Sequence, residues 1–181
     1  MNILKDILYK VAIESVTGST DIAIHKIDFD SRKIEANDVF VAIRGTLSDG
    51  HDYIQKAIEL GATAVICDTL PEVLVKEVTY IKVKDTNSAL AFMAANYFDN
   101  PSEKIKLVGI TGTNGKTTIS RLVAELISSQ QQRCAVMGTT GNGILPDLTP
   151  STHTTLDALQ LQNALHDYAK QGATFASLEA S

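Results

Sequence analysis

Residues 104–129 read KIKLVGITGTNGKTTISRLVAELISS, and this stretch decides the fold of the second half of the chain. Its apolar beginning predicts a buried strand that ends at Ile110, and its end predicts an amphipathic helix that begins at Lys116. The loop 111–115 connects the two. The apolar helix residues, which we expect to share one face, are Ile119, Leu122, Val123, Leu126 and Ile127. A strand, a glycine-containing loop and a helix in this order are typical of a phosphate-binding loop.

The loop has the residues that anion binding needs. Gly112 and Gly115 allow backbone N–H groups to converge on an anion, and the N-terminus of the following helix favours negative charge. Lys116 adds a mobile cation for the β- and γ-phosphates, and Thr117 stands where a phosphate loop places a Mg²⁺ ligand. The spacing departs from G-x-x-x-x-G-K-[ST], because Ile110 occupies the first glycine position. A glycine-containing turn with a solvated lysine is the alternative at this point.

Composition narrows the function classes. A chain of 181 residues with 44% hydrophobic content is long enough for two small domains. Its net charge of −5 and the lack of a Lys/Arg run argue against a nucleic-acid partner. The two cysteines lack metal-site spacing, which predicts reduced thiols in a cytoplasmic protein. No apolar segment approaches the roughly 20 residues that cross a bilayer, so we expect no membrane partner.

Strands and helices alternate along the chain, which predicts an α/β fold class. Residues 1–99 are expected to form one α/β domain and residues 100–181 a parallel-sheet domain around the phosphate loop, with a hinge at 99–104. In the first half, helices are predicted at 2–13, 53–60 and 87–98, and strands at 22–29, 38–43, 64–67 and 78–83. In the second half, further strands are predicted at 134–140 and 173–179, a helix at 156–170 and a loop at 144–153.

Three polar features are candidates for function. Glu179 follows a predicted buried strand, where a carboxylate is placed to hold Mg²⁺, although a capping or edge carboxylate is the alternative. Asp30-Ser31-Arg32 follows another strand and reads equally well as a ligand contact or as an Asx-type turn with a surface arginine. Thr154-Thr155 precedes a predicted helix, and helix capping explains this pair as well as a functional role does.

The sequence resembles the Mur ligases, which are ATP-dependent amino-acid-adding enzymes of peptidoglycan synthesis. The resemblance rests on residues 30–32, 38–42 and 49–53 in the first half and on Thr111–Thr118 in the second, and it extends over the entire chain. Residues 138–142, 153–158 and 172–181 are similar to the E-type members, which add meso-diaminopimelate or L-lysine to UDP-MurNAc-L-Ala-D-Glu. His153 and Ala180 depart from the family pattern, where asparagine and valine are usual.

The resemblance implies a role for each matching residue. Lys116 and Glu179 are implied as catalytic residues, and Thr117 and Glu179 as those nearest Mg²⁺. The residues implied to bind ATP are Gly112, Thr113, Asn114, Gly115, Lys116, Thr117 and Thr118. Those implied to bind the UDP-linked substrate are Phe29, Ser31, Thr46, Leu47, Ser48, His153, Thr154, Thr155 and Ser181.

The family reaction implies an acyl-phosphate intermediate on the D-Glu carboxylate, which the amine of the incoming diamino acid attacks. The family's C-terminal amino-acid-binding domain has no counterpart in these 181 residues, so we expect a central domain truncated after its third strand. Such a chain is expected to bind nucleotide without completing ligation. The alternatives are an F-type Mur ligase, a folylpolyglutamate synthetase and a non-catalytic nucleotide-sugar-binding module.

Overall fold

A computed structural model describes residues 2–45, 48–151 and 155–180. The chain divides into two compact units, Met1–Tyr97 and Phe98–Ser181. Each unit has its own five-stranded sheet with helices, and both sheets contain parallel strands. The predicted α/β class is confirmed. Among the described residues, no helix has the length and apolar character that spanning a bilayer would require.

The first unit is built on a sheet with the strand order β2-β7-β6-β5-β4, in which only β2 is antiparallel to its neighbour. A separate two-stranded sheet pairs β1 with β3. Short 3₁₀ turns cover Ser31–Lys33 and Gly50–Tyr53. The elements in chain order are β1 (Asn2–Ile3), α1 (Leu4–Ile7), β2 (Ile13–Thr17), β3 (Ala23–Ile24), β4 (Ile27–Asp28), β5 (Val39–Val41), α2 (Ile54–Glu59), β6 (Ala64–Cys67), β7 (Thr79–Val83) and α3 (Thr86–Tyr97).

The central strands of this sheet are buried throughout, which explains their sequence. Every residue of β5 and β6 is 0% exposed, so both faces of these parallel strands carry apolar side chains instead of alternating with polar ones. Helix α2 covers one face through Ile54 and Ala57. The carboxyl ends of β5 and β6 therefore lie side by side at one edge of the sheet.

The N-terminal helix predicted over residues 2–13 is wrong in extent. Helix α1 makes a single turn, because the chain before it pairs as β1 with β3 and the chain after Lys10 leaves helical geometry with a φ of 64°. The predicted apolar stripe is nevertheless buried where the helix exists, since Leu4 and Ile7 are 0% and 2% exposed. Pairing with distant strands has overridden a local helical pattern.

The second unit has the strand order β11-β10-β9-β12-β8, and two of its pairings are parallel, those of β12 with β9 and with β8. Strand β12 lies between β8 and β9, so the ends of all three strands meet at one edge. Helix α5 packs over β12 and β9. The elements in chain order are α4 (Pro101–Lys104), β8 (Lys106–Ile110), α5 (Lys116–Ser129), β9 (Cys134–Gly138), β10 (Gly141–Ile144), β11 (Asp147–Thr149), α6 (Ala158–Lys170) and β12 (Phe175–Glu179).

The three predicted parallel strands are present, and an antiparallel hairpin of β10 and β11 extends their sheet. The loop predicted at 144–153 covers all of β11 but only the last residue of β10. Glycines allow the two strands of this hairpin to pack closely, because a Cβ at Gly143 would lie 2.2 Å from the carbonyl oxygen of Asp147.

The N-cap of α6 differs from the threonine that the sequence predicted. The side chain of Asp157 caps the helix and accepts a hydrogen bond from the Gln160 amide at 2.8 Å.

Candidate functional site

The phosphate-type loop of the second unit connects the end of β8 to the start of α5. Gly112 and Gly115 have φ angles of 142° and 79°, and Gly115 is the residue that precedes the helix. A Cβ at either glycine would meet no atom closer than 3.8 Å. The positive φ angles, and not crowding, are therefore what calls for glycine at these two positions.

The loop presents backbone donors to solvent. Residues 111–115 are exposed, and the hydrogen bonds of the described residues leave the amide groups of Thr113, Asn114 and Gly115 unused. The first turn of α5 follows directly, with its own free amide groups and the positive end of the helix dipole. Lys116 adds a cation, whose Nζ donates to the Gly112 carbonyl oxygen at 2.7 Å. This arrangement suits an anion with several oxygens, such as the tail of a nucleoside triphosphate.

Glu179 lies at the carboxyl end of β12, beside this loop, and is 3% exposed. Its carboxylate accepts three hydrogen bonds from two neighbouring segments. Thr117 Oγ1 donates to Oε2 at 2.9 Å, the Thr139 amide donates to Oε1 at 2.9 Å, and Thr139 Oγ1 donates to Oε2 at 3.2 Å. These bonds fix the carboxylate between the first turn of α5 and the end of β9, and they offset its burial.

A glycine makes room for this carboxylate. A Cβ at Gly138 would lie 2.2 Å from Glu179 Oε1 and 2.6 Å from its Cδ, so no larger residue fits while Glu179 keeps its position. The sequence singled out Glu179 and Thr117, but it did not reveal that Gly138 and Thr139 hold the carboxylate. The signal available in the sequence was a glycine at the end of a buried strand, followed directly by a threonine.

The side-chain oxygens of Glu179 and Thr117 suit a Mg²⁺ ion that is also bound by phosphate oxygens. Glu179 and Thr117 provide one carboxylate and one hydroxyl within hydrogen-bond distance of each other. Mg²⁺ commonly takes one or two protein oxygens and completes its shell with water and phosphate oxygens. The described residues contain no group of three or more His, Cys, Asp or Glu side chains that could enclose a metal ion. A metal cage built from protein alone is therefore not what this part of the chain offers.

The structure places the other predicted site residues as follows. Thr155 is brought close to Glu179, because its Oγ1 donates to the Glu179 carbonyl oxygen at 3.4 Å. Phe29, Ser31 and Ser48 lie in the first unit, where Ser48 is exposed and Ser31 is 7% exposed. Five predicted residues lie outside the described part of the chain: Thr46, Leu47, His153, Thr154 and Ser181.

The segment Asp30-Ser31-Arg32 forms the Asx-type turn that the sequence offered as one of its two readings. Asp30 Oδ1 accepts from the Arg32 amide at 3.1 Å, and the two carboxylate oxygens hold the Arg32 guanidinium at 2.9 and 2.8 Å. The Arg32 side chain lowers the pKa of Asp30 to about 2. The turn explains the aspartate, while Ser31 remains available as a predicted substrate contact.

Comparison with known proteins finds a family match in each of the two units. Residues 23–98 match the family model described as Mur ligase family, catalytic domain, and residues 110–181 match the one described as Mur ligase middle domain. The chain belongs to the Mur ligase family. The second match covers the whole phosphate-type loop and all of β12, so this Mur ligase chain carries Glu179 within a family domain.

Curated relatives of this Mur ligase chain are named UDP-N-acetylmuramoyl-L-alanyl-D-glutamate--2,6-diaminopimelate ligase. The protein from Cytophaga hutchinsonii is 45% identical over 179 residues, which is 98% of this chain and 37% of the relative. The protein from Haemophilus influenzae is 40% identical over 167 residues, which is 89% of this chain and 34% of the relative. The chain thus spans little more than a third of the length of these relatives.

Solved structures show the same relationship. A diaminopimelate ligase of the same name is 45% identical with a TM-score of 0.77, and the match covers 99% of this chain and 36% of that one. The MurF ligase from Thermotoga maritima, solved in complex with ADP, is 27% identical with a TM-score of 0.56, and the match covers 85% of this chain and 31% of that one.

Proposed function

We propose that this chain forms the nucleotide-binding part of an ATP-dependent ligase that adds a diamino acid to UDP-MurNAc-L-Ala-D-Glu. Its curated relatives are named for the addition of 2,6-diaminopimelate to that dipeptide, which favours meso-diaminopimelate over L-lysine. The observation that carries the proposal is the buried Glu179 carboxylate, hydrogen-bonded to Thr117 in the first turn of the helix that follows the glycine loop.

The ATP site of the proposal is residues 112–118. The loop amide groups and the N-terminus of α5 bind the phosphates, and Lys116 exchanges its bond to the Gly112 carbonyl oxygen for phosphate oxygens. Thr117 and Glu179 would hold Mg²⁺, which neutralises phosphate charge while the γ-phosphoryl group is transferred. This chain's own contribution is to position two anions, a triphosphate and a carboxylate, close enough to react.

Each unit contains residues that are proposed to contact the UDP-linked substrate. Phe29, Ser31 and the turn 46–48 would contact the uridine nucleotide, and Thr155 with the neighbouring residues His153 and Thr154 and with Ser181 would contact the muramoyl peptide. Thr155 supports the second assignment, because its hydroxyl lies against the backbone of Glu179 at the end of β12. Both proposed substrates are nucleotides made in the cytoplasm, where we place the protein.

Isothermal titration calorimetry tests the proposal with two ligands, ATP with Mg²⁺ and UDP-MurNAc-L-Ala-D-Glu. The chain is expected to bind both, and Lys116→Ala is expected to weaken ATP binding while leaving the dipeptide affinity unchanged. Lys104→Ala, which changes an exposed lysine outside the loop, is the matched control. Binding of the dipeptide without ATP would favour a nucleotide-sugar-binding module, and binding of neither ligand would refute the proposal.

A further inference from the structure

The first unit carries four ionisable side chains in one cluster at the carboxyl ends of β5 and β6. Arg44 and Asp49 follow β5, His51 lies in the 3₁₀ turn after them, and Asp68 directly follows β6. We call these four residues the Arg44 cluster. The carboxyl edge of parallel strands is where open α/β sheets bind their ligands, so a charged cluster at this edge is a candidate for a role in ligand binding.

Each side-chain nitrogen of Arg44 donates a hydrogen bond to a carboxylate. Its Nε and Nη2 donate to the two carboxylate oxygens of Asp68 at 2.9 and 2.7 Å, and its Nη1 donates to Asp49 Oδ2 at 2.5 Å. A bidentate pair of this kind fixes direction as well as distance. The guanidinium of Arg44 lowers the pKa of Asp68 to about 2, and hydrogen bonds from His51 lower the pKa of Asp49. Both carboxylates therefore stay charged at neutral pH.

His51 connects the same two carboxylate residues from the buried side. Its side chain is 12% exposed, its Nδ1 lies 2.6 Å from Asp49 Oδ1, and the Asp68 amide donates to its Nε2 at 3.3 Å. Nδ1 therefore faces the Asp49 carboxylate, while Nε2 faces both the backbone amide of Asp68 and its carboxylate Oδ1, which lies 3.2 Å away. The cluster thus forms a closed ring of contacts.

The Arg44 cluster lies where residues 43–45 pair with residues 48–50. Arg44 and Asp49 are antiparallel bridge partners, the Gly45 amide donates to the Ser48 carbonyl oxygen at 2.9 Å, and the Gly50 amide donates to the Ile43 carbonyl oxygen at 2.8 Å. A Cβ at Gly50 would lie 2.6 Å from the backbone of Ile43, so Gly50 and Ile43 are in close contact. Through Asp68, the Arg44 cluster connects these paired residues to the end of β6.

Stability alone does not explain the arrangement. The Arg44 side chain is 52% exposed, and water and salt screen ion pairs at that exposure, so such pairs contribute little to folding. What the cluster does provide is a fixed position for Ser48, which is exposed at the ligand-binding edge of the sheet. We propose that Asp68 and His51 are positioning residues, which hold Ser48 in place for the uridine nucleotide of the substrate. This inference rests on the proposed function, in which Ser48 contacts that nucleotide.

The test compares Asp68→Asn with Glu72→Gln, which makes the same change of charge at an exposed residue outside the cluster. Calorimetry gives the dissociation constant for UDP-MurNAc-L-Ala-D-Glu, a thermal scan gives the melting temperature, and amide hydrogen exchange reports on Gly45. Asp68→Asn is expected to raise the dissociation constant about fivefold, because binding would then have to order one more side chain. It is expected to speed exchange at Gly45 while the melting temperature stays within about 2 °C. Glu72→Gln is expected to change none of the three.

The outcomes separate this inference from the function on which it rests. If the unmodified chain does not bind the dipeptide, the proposed function and the inference both fail. If it binds and Asp68→Asn binds equally well, the inference alone fails. A loss of affinity that appears only together with a lower melting temperature would show a structural role and would also overturn it. If Asp68→Asn does not fold, Arg44→Lys replaces it under the same criteria, since lysine keeps the charge but cannot bridge both carboxylates.

Discussion

Replacing Gly138 by alanine tests the geometry around Glu179 with one methyl group. The new Cβ would lie 2.2 Å from Glu179 Oε1, 2.6 Å from its Cδ and 2.7 Å from its Cγ. Because all three distances are shorter than real carbon contacts, the carboxylate has to move. The movement breaks the hydrogen bonds from Thr139, which reach Oε1 at 2.9 Å and Oε2 at 3.2 Å, and that from Thr117.

Two costs determine how much Gly138→Ala lowers the free energy of unfolding. A hydrogen bond to a charged group contributes about 1.5–3 kcal/mol, and overpacking a tight site costs about 1–3 kcal/mol. Partial relaxation of Glu179 reduces their sum, so we expect Gly138→Ala to lower the free energy of unfolding by about 3 kcal/mol. For a domain of under a hundred residues this corresponds to a fall in melting temperature on the order of 10–20 °C. The displaced carboxylate is also expected to weaken Mg²⁺-dependent ATP binding.

The same sheet offers a matched control. Gly109 in β8 is also a strand glycine, but a Cβ at this position would meet nothing within 4 Å. Gly109→Ala is therefore expected to change the free energy of unfolding by no more than about 0.5 kcal/mol. Thermal unfolding followed by circular dichroism, with calorimetry of ATP in the presence and absence of Mg²⁺, measures both variants. Equal melting temperatures for Gly138→Ala and Gly109→Ala would refute the reasoning.

Three further predictions concern single side chains. Thr117→Val keeps the volume but removes a donor from the buried Glu179 carboxylate, so urea unfolding is expected to show a loss of about 1–2 kcal/mol, whereas Thr118→Val at the exposed neighbour is expected to have little effect. The pKa of Asp30 is lowered from 3.8 to about 2, chiefly by the side chain of Arg32, so its contribution to stability is present above about pH 4 and is lost as the pH falls towards 2; Asp30→Asn is expected to flatten the pH dependence of unfolding in that window. Burial raises the pKa of Cys67 to about 11, so a thiol reagent at pH 8 is expected to label it only as fast as the chain unfolds, and rapid labelling of the folded protein would contradict its burial.

The sequence predicted best those features that local chemistry determines. Strand β6 was predicted with the same bounds that it has in the structure, because a strand buried on both faces reads as a continuous apolar run. The helix after the glycine loop was predicted to begin at Lys116, as it does. Glu179 was predicted at the end of a buried strand, and it lies there. In each case the signal lies within a few residues of the feature.

Features that depend on distant partners were predicted poorly. Strand β11 was predicted as part of a loop and β10 was not predicted as a strand, because both strands are short and the glycines of β10 carry no apolar periodicity. The contacts of Thr139 with Glu179 join residues 40 positions apart, so no local pattern could reveal them. Strand pairing and side-chain networks of this kind are set by the fold as a whole.

Helix α5 shows where the hydrophobic pattern itself misleads. The predicted apolar face includes Ile119, Leu122 and Leu126, yet these side chains are 49%, 58% and 67% exposed in this structure. The face that packs over β12 and β9 uses Ala124, which is 0% exposed, and Ser120, whose Oγ lies 3.2 Å from that of Ser177 in β12. Of the predicted apolar residues, Ile127 packs against the same core cluster as Ala124. Close approach of a helix to a sheet favours small side chains at the centre of the contact, and a buried hydroxyl is tolerated there because it has a partner. Periodicity therefore identified the apolar stripe of α5, but the partner of each helix face is decided by strands that lie much later in the chain.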